Sequence, residues 1–264
     1  MAARKIFIGL FFIGIIIVFS GFLFLSEKKR IEGIVDNGPA VPVEKNMAKS
    51  EVVKLKTKDG VKIVGDYYPA LGSNVGVLML HMMPADRKSY SVFAEKIQEA
   101  GWQGLAIDFR GHGESQGGPA GYQLYKDEDH QKSILDAEAG AEFLKSKGAK
   151  EIYLAGASIG ANLSLQYLAE HPEAQAAVLL SPGLNYRGIK MDELAKKVYH
   201  TKAVFLTAAQ DDDYSYETVQ ELFDMLPKGV GREIKLFDSG GHGTKLLETH
   251  SELMEEIIKW LKSL

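Results

Sequence analysis

The sequence contains no cysteine among its 264 residues. This absence excludes disulfide bonds, metal sites built on thiolates and a cysteine nucleophile. It also excludes a lipid-modified N-terminal cysteine. The compartment stays open, because many exported proteins carry no disulfide bond.

An excess of basic charge is also missing. The chain has 31 lysine and arginine residues against 35 aspartate and glutamate residues, a formal net charge of −4 and a pI of about 6.0. Proteins that bind nucleic acid usually present a strongly basic surface. Nucleic acid is therefore not an expected partner.

Charged residues are absent from one long stretch, residues 6–25. As a helix that rises about 1.5 Å per residue, this stretch is long enough to span a bilayer core of about 30 Å. A cleaved signal peptide usually has an apolar core of about 7–15 residues and a cleavage site of small residues, and residues 23–27 offer no such site. The stretch therefore predicts an uncleaved transmembrane anchor.

The segments around this anchor are a short flank at residues 1–5 and a linker at residues 26–49, which mixes glycine and proline with charges and shows little periodicity. The short leading segment favours an N-terminus in the cytoplasm and a catalytic domain on the outer side of the membrane. Basic residues flank both ends of the anchor almost equally, so the positive-inside rule adds little to this expectation.

Residues 50–264 alternate between short apolar segments and amphipathic segments. The alternation predicts a mostly parallel sheet that is covered by helices on both faces, in which ligands bind beyond the carboxyl ends of the strands. The predicted strands are Glu51–Thr57, Val61–Tyr68, Val75–Leu80, Trp102–Ile107, Ile152–Ala155, Ala176–Leu180, Ala203–Ala208 and Arg232–Phe237. The predicted helices include Tyr90–Ala100, Asp129–Ser146, Ala161–Ala169, Met191–Tyr199, Tyr216–Leu226 and Lys245–Leu261.

A G-x-S-x-G motif at residues 156–160 stands between a predicted strand and a predicted helix. In that context the motif indicates a nucleophile on a tight turn, here Ser158. The glycines allow strand and helix to approach closely, and the helix N-terminus favours developing negative charge. A second match to the motif, at residues 113–117, is followed by Gly118-Pro119 rather than by a helix, so Ser115 is not expected to be a nucleophile.

A serine nucleophile requires a base, and the base requires an orienting acid. His242 lies in a glycine-rich loop directly after the last predicted strand, which favours it as the base. The acid is expected after the strand that ends at Ala208, where three aspartates follow one another. Asp211 is the preferred candidate and Asp212 the next, because the remaining carboxylates fit a turn or a helix cap.

The tetrahedral intermediate requires two N–H donors. The first is the amide of Ile159, the residue after the nucleophile. The second is expected in the loop that follows strand Val75–Leu80, where Met83 is preferred and Met82 is the alternative. Pro84 has no N–H group and is excluded.

With these residues in place, the chain from about residue 50 onward resembles the α/β-hydrolase superfamily, in particular its serine esterase and serine aminopeptidase-like members without a large lid. The resemblance implies the same roles for Ser158, the acid after Ala208 and His242, in that chain order. One departure is Met82, where many members have glycine after the histidine. The residues that carry the resemblance are Leu80-His81, residues 107–115, residues 156–160, the aspartates after Ala208 and residues 240–243.

The sequence thus predicts a membrane-tethered serine hydrolase that cleaves small carboxylic esters and uses neither cofactor nor metal. Only about twenty residues separate Leu180 from Ala203, the place where related proteins insert large lids, so the site is expected to be open. A peptidase or amidase with the same triad, and a catalytically silent binding scaffold, are the alternatives.

Overall fold

An eight-stranded sheet forms the centre of this computed structural model, which describes residues 48–264. The spatial order is β1-β2-β4-β3-β5-β6-β9-β10, and β7 and β8 form a separate two-stranded hairpin. In chain order the strands are β1 (Glu51–Lys56), β2 (Lys62–Tyr68), β3 (Val75–Leu80), β4 (Gln103–Ile107), β5 (Glu151–Ala157), β6 (Ala174–Leu180), β7 (Asn185–Tyr186), β8 (Ile189–Lys190), β9 (Ala203–Ala209) and β10 (Gly231–Phe237).

The sheet is mostly parallel, which confirms the predicted fold class. Only the pairs β1–β2 and β2–β4 are antiparallel, whereas β3 pairs in parallel with both β4 and β5, and the strands from β5 to β10 continue in parallel. The strand order reverses beside β3. Because ligands of such sheets bind where the order reverses, the loops after β3 and β5 are the place to look for a site.

Helices cover both faces of the sheet, as the continuous apolar strands require. On β3, the side chains of Leu78 and Leu80 belong to one apolar cluster, and those of Val77 and Met79 belong to the other. The helices are α1 (Ser91–Glu99), α2 (Asp127–Gln131), α3 (Ile134–Ser146), α4 (Ile159–Glu170), α5 (Met191–Ala195), α6 (Asp213–Met225), α7 (Lys245–Thr249) and α8 (Glu252–Leu261).

Two helices that were predicted as continuous are each divided. The segment predicted from Asp129 forms α2 and α3, and the C-terminal segment forms α7 and α8. His250 ends α7 in a non-helical conformation, with φ −120° and ψ 73°. Its ring stacks on Phe237 with centroids 3.9 Å apart, and its Nε2 lies 2.6 Å from the carbonyl oxygen of Ser239. These contacts with the preceding strand and loop take His250 off the helical path.

The predicted anchor at residues 6–25, its flank and nearly all of the predicted linker lie outside the described residues. Within residues 48–264, no helix combines the length and apolar character that a membrane crossing requires.

Candidate active site

Ser158 lies on a sharp turn between β5 and α4. Its backbone has φ 54° and ψ −120°, a conformation that residues with a side chain rarely adopt. A Cβ atom on Gly156 would overlap the carbonyl of Gly160, and one on Gly160 would overlap the carbonyl of Leu80. Both glycines are therefore required sterically. The strained turn is also held by a 2.9 Å hydrogen bond from the amide of Ser158 to the carbonyl oxygen of Leu180.

His242 is paired with an aspartate from the neighbouring loop. Its Nδ1 lies 2.7 Å from Oδ2 of Asp212, and both side chains are partly buried. Burial raises the pKa of Asp212, but hydrogen bonds from His242, Ser215 and Ser181 outweigh burial and leave that pKa below its ordinary value. The carboxylate therefore stays ionised beside the imidazole, as an orienting acid must.

The aspartate that contacts His242 is not the preferred candidate for the acid. Asp211, the preferred candidate, does not contact His242; its carboxylate accepts 3.1 Å hydrogen bonds from the amides of Gly240 and Gly241. Strand β9 continues to Ala209, one residue beyond the predicted end, so the carboxylate that reaches the imidazole comes one residue later. The side chain of Asp212 makes no capping bond to α6, although it immediately precedes that helix.

Asp211 and Asp212 thus hold the same loop in different ways. Asp211 fixes the backbone before the histidine, and Asp212 fixes the ring itself. Directly after the histidine in the chain, the amide of Gly243 donates a 2.9 Å hydrogen bond to the hydroxyl of buried Ser181. The glycine-rich loop that carries His242 is therefore fixed by three separate side chains.

The loop after β3 is oriented by His81, which is fully buried. Nε2 of His81 accepts a 3.0 Å hydrogen bond from the amide of Phe109, so the proton of the neutral ring lies on Nδ1, which donates to the carbonyl oxygen of Met82 at 2.8 Å. Burial lowers the pKa of His81 to about 3 and keeps the ring neutral. Because the N–H and C=O groups of a trans peptide point in opposite directions, the amide of Met83 points away from His81.

The contact with His81 uses the carbonyl rather than the amide of Met82, and it leaves the amide of Met83, the predicted donor, on the side away from the ring. The second predicted donor, Ile159, is the first residue of α4, so its amide has no partner within the helix. The predicted pair of donors lies at the ends of β3 and β5, which are adjacent in the sheet.

The side chain of Ser115, in the second G-x-S-x-G motif, forms hydrogen bonds with the backbone. Its hydroxyl donates to the carbonyl oxygen of Asp108 at 2.7 Å and accepts from the amide of Val64 at 2.9 Å, and the residue is buried. These contacts agree with the expectation that Ser115 is not a nucleophile.

Tyr186, on the β7–β8 hairpin, packs beside the histidine. Its ring stands perpendicular to the His242 ring with centroids 6.4 Å apart, and its hydroxyl lies 3.4 Å from Oγ of Ser215. Sequence reasoning missed this tyrosine, as it missed Ser181 and Ser215. A hairpin of two-residue strands has no periodicity, and an isolated serine carries no local signal.

The loop of His242 also reaches the ends of two other strands. A Cβ atom on Gly243 would overlap the sulfur of Met82 and would lie 3.3 Å from the Cβ of Ala157. Gly243 is thus packed against Met82, in the loop after β3, and against Ala157, the residue before Ser158. Between β6 and β9 the chain forms only the β7–β8 hairpin and α5, so no large lid covers this edge.

Within residues 48–264, no group of three or more histidine, aspartate or glutamate side chains is placed to hold a metal ion.

Comparison with known proteins adds a family. The model of the serine aminopeptidase S33 family matches residues 73–218, more than half of the chain. The match includes the loop after β3, the turn at Ser158 and Asp212.

A protein of Mycobacterium tuberculosis is 28% identical to this chain over 163 residues, which cover 60% of this chain and 54% of that protein. The chain thus spans about half the length of its mycobacterial relative.

Solved structures have the same fold. An esterase of Pyrococcus furiosus is 24% identical, with a TM-score of 0.69 over 81% of this chain and 91% of that one. A thermostable carboxyl esterase of Bacillus coagulans, in complex with glycerol, is 13% identical, with a TM-score of 0.66 over 82% of this chain and 99% of that one. On the family match and this shared fold, the chain belongs to the serine aminopeptidase S33 family of α/β-hydrolases.

Proposed function

We propose that this protein hydrolyses carboxylic esters through an acyl-enzyme formed on Ser158. The observation that carries the proposal is the 2.7 Å pair of His242 and Asp212, presented on the loops next to a serine in a strained elbow conformation. Such strain persists only where the surrounding structure enforces it, and it is typical of functional sites.

In the proposed mechanism, Ser158 attacks the ester carbonyl carbon while His242 takes its proton. Asp212 stabilises the imidazolium that forms. The amides of Ile159 and Met83 hold the oxyanion, and each such donor typically contributes about 10²–10³ in rate. His242 then gives its proton to the departing alcohol. Water, activated by the same imidazole, releases the acid from Ser158.

Esters are favoured over amides by two observations. The solved relatives from Pyrococcus furiosus and Bacillus coagulans are esterases. The short segment between β6 and β9 also supports an open site that admits a small or exposed acyl group. A peptidase or amidase activity with the same residues is the second candidate, which the aminopeptidase family match favours.

We also propose that residues 6–25 anchor the enzyme in a membrane, with the catalytic domain on the outer side. The support is the uncharged length of this stretch in the sequence. The substrate would then be an ester that is accessible at the membrane surface.

A fluorophosphonate probe, which reacts with activated serines, is expected to label the wild-type protein. Ser158→Ala should abolish labelling because it removes the nucleophile. Ser115→Ala is the matched control, since it removes the serine of the other G-x-S-x-G motif and should keep labelling in folded protein. Wild-type protein that is folded by circular dichroism and yet unlabelled would contradict the proposal.

Substitutions of the two adjacent aspartates are expected to affect kcat differently. Asp212→Asn should lower kcat by about 10³–10⁴, because the amide no longer stabilises the imidazolium or its correct tautomer. Asp211→Asn should keep most of the activity and lose about 1 kcal/mol of stability or less, since its bond to Gly241 is exposed and its bond to Gly240 is only partly buried. Steady-state kinetics and thermal unfolding measure both effects. An equal loss of kcat in the two variants would show that this assignment of the acid is wrong.

The ester preference is tested with substrates that share one acyl group and differ only in the bond to be cleaved. An alkyl ester is expected to have a higher kcat/KM than the corresponding amide or an aminoacyl amide. A preference for the aminoacyl amide would favour the peptidase instead. Ser158→Ala serves as the control for background hydrolysis of each substrate.

The anchor is tested by comparing the full chain with a variant that begins at residue 48. The full chain should sediment with membranes, and the truncated protein should remain in the supernatant. In intact cells, a probe that cannot cross membranes should label the full chain as strongly as in lysed cells. Full-length protein in the supernatant would refute the anchor, and labelling only after lysis would refute the outward orientation.

A further inference from the structure

We propose that Tyr186 is a further catalytic residue, whose hydroxyl donates a hydrogen bond to the alcohol oxygen that leaves the tetrahedral intermediate on Ser158. The inference rests on the proposed esterase function and adds to it a dependence on the leaving group. Esters of weakly acidic alcohols are expected to need Tyr186 most.

The hydroxyl of Tyr186 lies among the polar side chains near His242. It is 3.4 Å from Oγ of Ser215, the residue whose hydroxyl helps to lower the pKa of Asp212. The ring of Tyr186 is perpendicular to that of His242. The phenol therefore stands beside the imidazole that carries the proton in the proposed mechanism.

The hairpin that carries Tyr186 is held rigidly by a buried side chain. Asn162 of α4 is fully buried, and its side chain binds both ends of the hairpin. It donates to the carbonyl oxygens of Gly183 at 2.8 Å and Ile189 at 3.0 Å, and it accepts from the amide of Gly183 at 3.2 Å. Because α4 begins directly after Ser158, the same helix positions the nucleophile and the tyrosine.

The turn of this hairpin is equally constrained. Arg187 and Gly188 both have positive φ, 54° and 81°, which is the conformation of a tight two-residue turn. The carbonyl oxygen of Arg187 accepts a 2.9 Å hydrogen bond from the amide group of Gln131. Hence, although β7 and β8 have only two residues each, the side chain at 186 is preorganised.

A second aromatic ring holds the phenol in place. Tyr214 packs against Tyr186 edge to face, with centroids 5.7 Å apart, and its hydroxyl accepts a 3.1 Å hydrogen bond from the amide of Asn185. A Cβ atom on Gly183 would lie 2.6 Å from the Tyr186 ring and 2.7 Å from the Tyr214 ring. The glycine thus leaves room for both rings beside the backbone.

The hydroxyl of Tyr186 is protonated at neutral pH. Burial raises the pKa of Tyr186, and the interactions with Ser215 and Ser158 offset this only in part. The phenol therefore keeps its proton at neutral pH and acts as a hydrogen-bond donor rather than as a base.

In the proposed step, the bond between the carbonyl carbon and the alcohol oxygen breaks, and its electron pair goes to the oxygen. The proton that His242 took from Ser158 moves to that oxygen, so a neutral alcohol leaves. Tyr186 donates a hydrogen bond throughout and keeps its own proton. The stabilisation grows with the negative charge on the leaving oxygen, because the bond is stronger to a charged acceptor.

The test compares Tyr186→Phe with the wild type on two esters of one acyl group. One has an ethanol leaving group, which is strongly basic, and the other has a 4-nitrophenol leaving group, which is weakly basic. For the ethyl ester, kcat/KM is expected to fall about 10- to 100-fold, in the range of a lost transition-state hydrogen bond. For the nitrophenyl ester the fall should be much smaller, and the deacylation rate after the burst should be unchanged.

Tyr199→Phe, a change of the same kind at an exposed tyrosine, is the matched control and should affect neither ester. The rate of fluorophosphonate labelling shows whether the site of Tyr186→Phe is intact, and it should stay near that of the wild type. An equal fall for both esters, or no fall for either, would overturn the role of Tyr186 and leave the esterase proposal standing. Wild-type protein that is unlabelled and hydrolyses neither ester would overturn both.

Discussion

The close packing of α4 against the carboxyl ends of β3 and β5 is the constraint on which the rest of the site depends. Gly160 lies so near the carbonyl of Leu80 that no side chain fits between them. This contact places Ser158 at the point where the strand order reverses, and it forces the strained backbone there. It also brings the N-terminus of α4, and with it the Ile159 amide, next to the loop that follows β3.

Polar side chains then fix the loops around Ser158. His81 orients the peptide of the loop after β3, Ser181 and Asp211 hold the histidine loop, and Asn162 holds the β7–β8 hairpin. Each satisfies backbone groups that a loop would otherwise leave unpaired. The site is therefore rigid although most of its members lie outside regular strands and helices.

A short aromatic hairpin, rather than a large lid, follows β6 and contacts the His242 ring. Tyr186 and Tyr214 pack together, and Gly183 makes room for both. Under the proposed function, this hairpin combines two tasks: it walls the open site on one side, and it supplies a protonated hydroxyl beside the imidazole. A mobile lid would provide the wall without the same fixed geometry for the hydroxyl.

The sequence alone determined the mostly parallel sheet, the elbow at Ser158, the hairpin β1–β2 and the structural character of Ser115, because each is encoded by local periodicity or by a turn motif. Its choice of His242 as base followed from three neighbouring glycines after a strand. Only the tertiary structure decided between Asp211 and Asp212, since one residue of strand length determines which carboxylate reaches the ring. It alone also brought Tyr186, Ser181 and Asn162 to the site, because contacts between distant loops depend on how the sheet and helices pack and leave no periodic signal in the chain.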